Sequence, residues 1–218
     1  MWCVENKMIV DVLLILGICL VIFSYGQLVV CYFRYKNVFI QNIDGFEMAK
    51  EITRDYDAIN VVEAKNILIS YYDSKRNVIR LTSRQYFGRD IFNLGLVYVL
   101  ACYSCFYQSE IKREMLKKIF FRIDWCSKTM IFGLILSCFT YTIGDAKIGV
   151  VILGLLLIVQ YFHFAMDSFK NTSIENTFSK RDMDGIGKVR GAILFLSKMS
   201  FIGNLVFLLR EIVIILGI

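Results

Sequence analysis

Long apolar runs separated by charged segments dominate the pattern of this chain. The runs cover residues 12–30, 129–143, 148–164 and 192–218. Because a helix needs about 20 mostly apolar residues to cross the hydrocarbon core of a bilayer, the pattern predicts about four transmembrane helices. The last run contains Lys198, Arg210 and Glu211. We expect these charges to lie near an interface or to face protein, because a lone charge is costly inside a bilayer.

The segment that follows the first apolar run, residues 34–89, has a different pattern. Asp44 and Glu47 have the spacing of a capping box, which predicts a helix over the sequence FEMAKEITRDY. Two β-favouring runs, residues 67–72 and 78–82, flank the polar sequence DSKRN and predict a β-hairpin. Asp90 is then expected to cap a helix over residues 90–108. The predicted fold is mainly α and integral membrane, with a small cytoplasmic α+β insertion.

Composition supports the membrane class. Of the 218 residues, 57% are hydrophobic and the mean hydropathy is +0.57, against roughly 45–50% apolar residues in ordinary globular domains. Glu5 and Asp11 flank the first apolar run, and no small-residue cleavage site follows it, so we expect a retained span rather than a signal peptide.

The distribution of basic residues predicts the topology. Of the 25 Lys and Arg residues, ten lie in residues 34–89, six in 112–128 and five in 170–190. The positive-inside rule places such segments in the cytoplasm. All three can be cytoplasmic only if the helix over residues 90–108 does not cross the bilayer. Attraction to anionic lipids explains most of these charges, so the expected partner is the lipid bilayer and not nucleic acid.

The predicted organisation has five parts. They are an N-terminal transmembrane helix (1–33), a cytoplasmic or membrane-surface region (34–128), a transmembrane hairpin (129–166), a cytoplasmic loop (167–191) and a C-terminal transmembrane helix (192–218). Both termini are then expected outside, and the loop GDAK at residues 144–147 is the outer tip of the hairpin.

Few side chains suggest metal or redox chemistry. The seven cysteines are scattered in or beside apolar segments, as small hydrophobic residues would be. Cys102 and Cys105 form a Cys-x-x-Cys, which is either a soft-metal or redox pair or simple helix packing. His163 is the single histidine, and either takes part in a metal site with Cys102 and Asp167 or lies at the membrane interface. Asp73 and Arg80 either contact a ligand or form an ion pair across the hairpin.

Two sequence segments carry a resemblance to a known family. DGFEMAKEI and YYDSKRNVIRLTSRQYFGRDI resemble the corresponding segments of the bacterial integral-membrane neutral zinc metallopeptidases, often labelled YugP-like, and the resemblance extends from about residue 27 onward. The residues that match the family are Gly45, Glu47, Ala49, Tyr72, Asp73, Arg80, Leu81, Tyr86, Gly88 and Ile91. Tyr71 stands where the family has histidine, and Ser74 where it has proline.

The same register places the catalytic motif of that family on the helix over residues 90–108. Its His-Glu-x-x-His supplies two zinc ligands and a general base. Here the three corresponding positions are Val99, Leu100 and Tyr103, and the position of the third ligand is Phe164. Valine has no lone pair and leucine cannot accept a proton from water, so the resemblance implies a zincin-type scaffold without its reactive centre.

Three functional hypotheses follow. The first is a pseudoprotease of the bacterial plasma membrane that needs no cofactor. It would bind an intact paralogous metallopeptidase, or a membrane-protein substrate, through the hairpin residues Tyr72, Asp73 and Arg80. The second is an active zinc-dependent peptidase with non-standard ligands, drawn from Cys102, Cys105, His163 and Asp167. The third is a structural or transport-related membrane protein, which the absence of a series of charged pore-lining residues does not favour.

Overall fold

The computed structural model describes residues 2–110, 130–167 and 180–217, except for positions 42, 57, 66 and 68. In chain order its elements are α1 (Trp2–Tyr35), α2 (Gly45–Ile52), β1 (Asn60–Glu63), β2 (Tyr71–Asp73), β3 (Val78–Leu81), α3 (Ser83–Tyr86), α4 (Ile91–Glu110), α5 (Met130–Ile143), α6 (Ala146–Asp167) and α7 (Lys180–Leu216). The fold is therefore mainly helical, as the sequence predicted, with one small three-stranded sheet.

The chain divides into two compact units. The helical unit comprises Met1–Gln27, Arg122–Ala165 and Phe195–Ile218. The sheet unit comprises Leu28–Phe121 and Met166–Leu194. Because α1 and α7 each pass from one unit into the other, the sheet unit contains the end of α1 and the beginning of α7.

The predicted β-hairpin is confirmed, but its first strand is shorter than expected. β2 pairs antiparallel with β3, with Tyr72 opposite Ile79. The predicted strand began at residue 67, whereas β2 begins at Tyr71. Thr82 donates its backbone N–H to Ser70 Oγ at 2.8 Å, so a side-chain oxygen replaces the next backbone bond of the ladder. Pairing therefore ends at that point.

The third strand, β1, was not predicted. It pairs in parallel with β3, with Val61 opposite Ile79, and the strand order is β1-β3-β2. β3 is consequently the central strand, and Ile79 and Leu81 on it are fully buried. The sequence NVVE is too short and too polar to stand out by its pattern alone.

The capping box of α2 is confirmed. Asp44 Oδ1 accepts a hydrogen bond from the Glu47 backbone N–H at 2.9 Å, and Glu47 Oε2 accepts one from the Asp44 N–H at 3.1 Å. The helix ends at Ile52 rather than near Tyr56, because Thr53 takes the C-cap position and its hydroxyl donates to the carbonyl of Ala49. Its apolar face packs against the sheet unit's core.

Asp90 caps α4, as predicted. Its Oδ1 accepts from the Asn93 backbone N–H at 3.0 Å, and its Oδ2 accepts from the Asn93 side-chain amide at 2.6 Å. The buried residues Leu94, Val97 and Ala101 follow at helical spacing and form one face of the helix. α4 is therefore a central helix of the sheet unit's core.

The segment predicted as a cytoplasmic loop, residues 167–191, is helical in its last part. Residues 168–179 lie outside the described residues, but α7 begins at Lys180 and continues without interruption to Leu216. The start of α7 is stabilised by close packing on α4. A Cβ added to Gly95 would overlap Val189, and one added to Gly185 would lie 2.8 Å from Ile91. Contacts between distant segments made this stretch helical, and local sequence did not reveal them.

The helical unit contains the predicted hairpin of α5 and α6. The two helices are joined at Gly144, whose φ of +76° is in the left-handed region that glycine adopts without strain. Leu136, Leu153, Leu156 and Phe207 form the core of this unit. Together they bring α5, α6 and α7 into contact.

Two helices of the described chain are long and apolar enough to cross a membrane. They are α1 over Lys7–Tyr35 and α7 over Asp182–Leu216. Much of α1 is exposed and apolar, including Val12, Ile15 and Ile22. Membrane crossing by these two helices, and the predicted arrangement of four spans that includes α5 and α6, remain predictions.

Candidate functional site

The positions that the sequence resemblance aligns with a zinc-binding motif lie in the middle of α4. Val99, Leu100 and Tyr103 are half-buried and pack against the hydrophobic core of the sheet unit. Ala101 and Cys102, between them, are buried. Apolar packing therefore occupies the helix segment where the resemblance places two imidazoles and a carboxylate.

Cys102 and Cys105 are buried free thiols on this helix. Burial raises the pKa of Cys102 to about 11 and that of Cys105 to about 12. The Cys105 thiol also donates to the carbonyl oxygen of Ile52 at 3.6 Å. Because the thiolate is the form that binds metals and attacks electrophiles, this arrangement favours packing over metal or redox chemistry.

Cys102 and Cys105 are expected to resist alkylation in the folded protein at pH 8. Both are buried and neutral, whereas a Val62→Cys variant on the half-exposed strand β1 should label readily. Full labelling of Cys102 and Cys105 should appear only after denaturation, as measured by mass spectrometry of peptides. The raised pKa values mean that the stability contributed by the neutral thiols is fully present below about pH 9 and is lost as the pH rises through 11 to 12. Labelling as fast as that of Val62→Cys would contradict the buried environment.

The hairpin residues singled out from the sequence have structural contacts. The Tyr72 ring is buried, and its hydroxyl donates to Asn77 Oδ1 at 3.1 Å. Burial raises the pKa of Tyr72 to about 12. Arg80 Nε lies 3.7 Å from Asp73 Oδ2, which is the ion pair that the hairpin spacing suggested. These contacts stabilise the hairpin, and a binding role for the three residues remains a prediction.

The edge of the sheet formed by β1 is better placed to bind an extended segment. Asn60 N–H donates to Asn77 O and Ala64 N–H donates to Leu81 O, so the even-numbered residues of β1 pair with β3. Backbone groups alternate in direction along a strand, and those of Val61 and Glu63 are therefore directed away from β3. β3 itself is paired on both sides, with β1 and with β2.

The remaining candidate ligands, His163 and Asp167, are on α6. Phe164, which stands at the position of the third ligand, belongs to the same helix. The side chains of all three lie outside the described residues. Among the residues that are described, no group of three His, Cys, Asp or Glu side chains could hold a metal ion.

Sequence reasoning missed the buried polar cluster of the helical unit. Arg210 and Glu211 are buried and face protein, as expected for charges in an apolar run, and Arg210 Nη1 lies 2.8 Å from Glu211 Oε1. Ser137 on α5 completes the cluster, since its Oγ accepts from Arg210 at 2.6 Å and donates to Glu211 at 2.8 Å. The only signal in the sequence was a serine within an apolar run.

A second polar group lies between α6 and α7. Gln160 Nε2 donates to Ser200 Oγ at 3.0 Å, and Asn204 Nδ2 donates to Gln160 Oε1 at 3.2 Å. All three side chains are buried. These hydrogen bonds link α6 to α7, and hydropathy alone does not predict which polar residues pair.

The chain matches no known family model, and neither a characterised protein nor a solved structure is significantly similar to it. A functional assignment therefore depends on the residues and geometry described above.

Proposed function

We propose that this protein is a pseudoprotease of the bacterial plasma membrane, which binds a segment of another membrane protein without cleaving it. The packing of Val99, Leu100 and Tyr103 against the core is the observation that carries the proposal. A zinc peptidase needs three ligands and a general base around an open coordination position. The side chains at these positions provide neither, and the neutral thiols of Cys102 and Cys105 do not replace them.

The proposed topology has four spans. α1 and α7 have the required length and composition, and the α5–α6 hairpin supplies the other two. The three basic segments then lie in the cytoplasm together with the sheet unit, in agreement with the positive-inside rule. In this topology α4 packs within the sheet unit and does not cross the bilayer.

The proposed binding mode is β-strand addition at β1. An extended peptide can add to an exposed sheet edge through backbone hydrogen bonds, and Val61 and Glu63 direct their backbone groups to that side. Val62 is 37% exposed and would contact the added segment. The partner is an intact paralogous metallopeptidase or a membrane-protein substrate, both of which place extended cytoplasmic segments near the bilayer.

The non-catalytic part of the proposal is tested with the purified full-length protein. We expect no stoichiometric zinc by elemental analysis and no cleavage of a peptide library. Stoichiometric zinc together with cleavage that a chelator abolishes would overturn it.

Strand addition is tested by replacing Val61 with proline. Proline is tolerated on edge strands and removes only the N–H that is directed away from β3. With a photo-crosslinking amino acid at position 62, the Val61→Pro variant should lose most of the cross-link to the partner, identified by mass spectrometry as a membrane protein or a paralogous peptidase. The matched variant Val61→Ala loses more side-chain packing than Val61→Pro but keeps the backbone N–H, and should retain the cross-link. Equal cross-linking in the two variants would exclude binding through this edge.

A further inference from the structure

Three exposed aromatic rings lie beside exposed arginines where α1 ends in the sheet unit. Phe33, Phe39 and Phe87 are 62%, 66% and 61% exposed, although their rings are large and apolar. Arg34, Arg84 and Arg89 are also exposed. We call these six residues the aromatic-basic surface.

Backbone pairing fixes two parts of this surface side by side. Ile40 N–H donates to Arg89 O at 2.9 Å, and Ile91 N–H donates to Val38 O at 2.8 Å. These two bonds form an isolated antiparallel bridge between Phe39 and Asp90. Phe39 is therefore held next to the segment that carries Phe87 and Arg89.

Side-chain contacts join the end of α1 to the same region. Arg84 Nη2 donates to the Tyr32 hydroxyl at 3.3 Å, and the Tyr32 and Phe92 rings meet edge to face at 5.1 Å. Lys36 Nζ lies 4.4 Å from the centre of the Phe33 ring. The last turn of α1 is thus anchored to α3 and to the first turn of α4.

The charge of this surface is positive. Asp90 is buried, accepts two hydrogen bonds from Asn93 and attracts Arg84, and its single negative charge is outnumbered by the three arginines. The surface also continues directly from α1, whose apolar stretch Lys7–Tyr35 is long enough to span a bilayer. Aromatic side chains and cations at the end of a span are typical of the interface between acyl chains and headgroups.

We infer that the aromatic-basic surface binds anionic phospholipid headgroups and seats the sheet unit on the bilayer from which α1 emerges. Phe33, Phe39 and Phe87 enter the outer part of the acyl region. The three arginines bind the lipid phosphates, for which the planar guanidinium is well suited. This inference rests on the proposed membrane insertion of α1.

Depth in the bilayer is measured with single-tryptophan variants of the full-length protein. Trp2 and Trp125 are the only tryptophans of the chain and are replaced by phenylalanine. Tryptophan is then introduced as Phe39→Trp or Phe87→Trp, in nanodiscs that contain brominated phosphatidylcholine. Both probes should be quenched and blue-shifted, whereas a Val62→Trp probe on β1 should not.

A Phe23→Trp probe separates this inference from the membrane proposal. Phe23 lies within the candidate span and is 54% exposed, so quenching at position 23 reports insertion of α1. Quenching at 23 without quenching at 39 and 87 would overturn the inference and leave the membrane proposal intact. Absence of quenching at position 23 would overturn both.

Headgroup selectivity is measured by the binding of spin-labelled phosphatidylglycerol relative to phosphatidylcholine. Each Lys or Arg near the membrane surface strengthens binding to anionic lipid about fivefold. The Arg34→Gln/Arg89→Gln variant should therefore lose most of the preference for phosphatidylglycerol. The control Lys75→Gln/Arg76→Gln removes two exposed cations from the hairpin turn and should keep it. Equal loss in the two variants would show only a general effect of net charge and would overturn the assignment to this surface.

Discussion

Replacing Gly45 with alanine is expected to unfold the sheet unit. Gly45 is the first residue of α2, and a Cβ at this position would overlap the backbone carbonyl oxygen of Gln85 and lie 3.3 Å from a methyl group of Val97. A backbone atom cannot move aside as the end of a side chain can, so α2 would have to separate from the α3–α4 segment. We expect a loss of about 3 kcal/mol or more in the free energy of unfolding, within the range of severe core overpacking.

The matched control for this substitution is Gly187→Ala. Gly187 lies in α7, and a Cβ there would meet no atom within 4 Å. Alanine in an exposed helical position is favoured over glycine by about 1 kcal/mol, so the control should be neutral or slightly stabilised. Thermal unfolding in detergent, with limited proteolysis of the sheet unit, measures both variants. Similar unfolding temperatures for Gly45→Ala and the wild type would contradict the close approach of α2 to Gln85.

Gly88 has a close contact similar to that of Gly45. A Cβ at Gly88 would overlap the backbone carbonyl oxygen of Arg84, as one at Gly45 would overlap that of Gln85. Both glycines therefore allow close packing against residues of α3. Packing alone accounts for glycine at these two positions, which were among the residues on which the sequence resemblance was based.

Local features of the fold could be predicted from the sequence. Asp44 and Glu47 are three residues apart, and Asp90 is three residues from Asn93, so each cap is formed within one helical turn. The β2–β3 hairpin is similarly local, since the four residues Ser74–Asn77 connect its strands. Asn77 adopts a φ of +52°, which asparagine tolerates better than most residues.

Features that depend on distant contacts could not be predicted. β1 is stabilised by pairing with β3, although β2 lies between the two strands in the sequence. The four residues of β1 have no strong pattern of their own. The first turns of α7 are helical where Val189 packs against Gly95, almost 100 residues earlier in the chain. The β1 edge proposed for binding was not predicted for the same reason, because an edge is defined only once the strand order is known.

The environment of the charges in the last apolar run could be predicted only in part. Hydropathy indicated that Arg210 and Glu211 lie near an interface or face protein, and the structure buries both. It could not identify Ser137, which lies on another helix and bonds to both charged groups. Glu211 Oε2 is buried without a hydrogen-bond partner among the described residues, so the carboxylate depends strongly on the Arg210 guanidinium for its compensation.

Glu211→Ala is therefore expected to destabilise the helical unit by about 3–5 kcal/mol, the range measured when one partner of a buried ion pair is removed. The substitution removes the carboxylate that lies 2.8 Å from Arg210 Nη1 and leaves the guanidinium with less compensation in an apolar surrounding. It also leaves space beside Gly149, where a Cβ would lie 3.0 Å from Glu211 Cγ. Unfolding of the full-length protein in mixed micelles, titrated with a denaturing detergent, measures the loss.

The double variant Arg210→Met/Glu211→Leu distinguishes charge compensation from packing. It removes both charges and keeps most of the buried volume, and such replacements are often neutral or stabilising. We expect its stability to lie within about 1 kcal/mol of the wild type and well above that of Glu211→Ala. If the double variant were as unstable as the single one, the contribution of Glu211 would come from its packing near Gly149 and Thr140 and not from its pairing with Arg210. If both variants retained wild-type stability, the cluster would not be an interior feature of the folded helical unit.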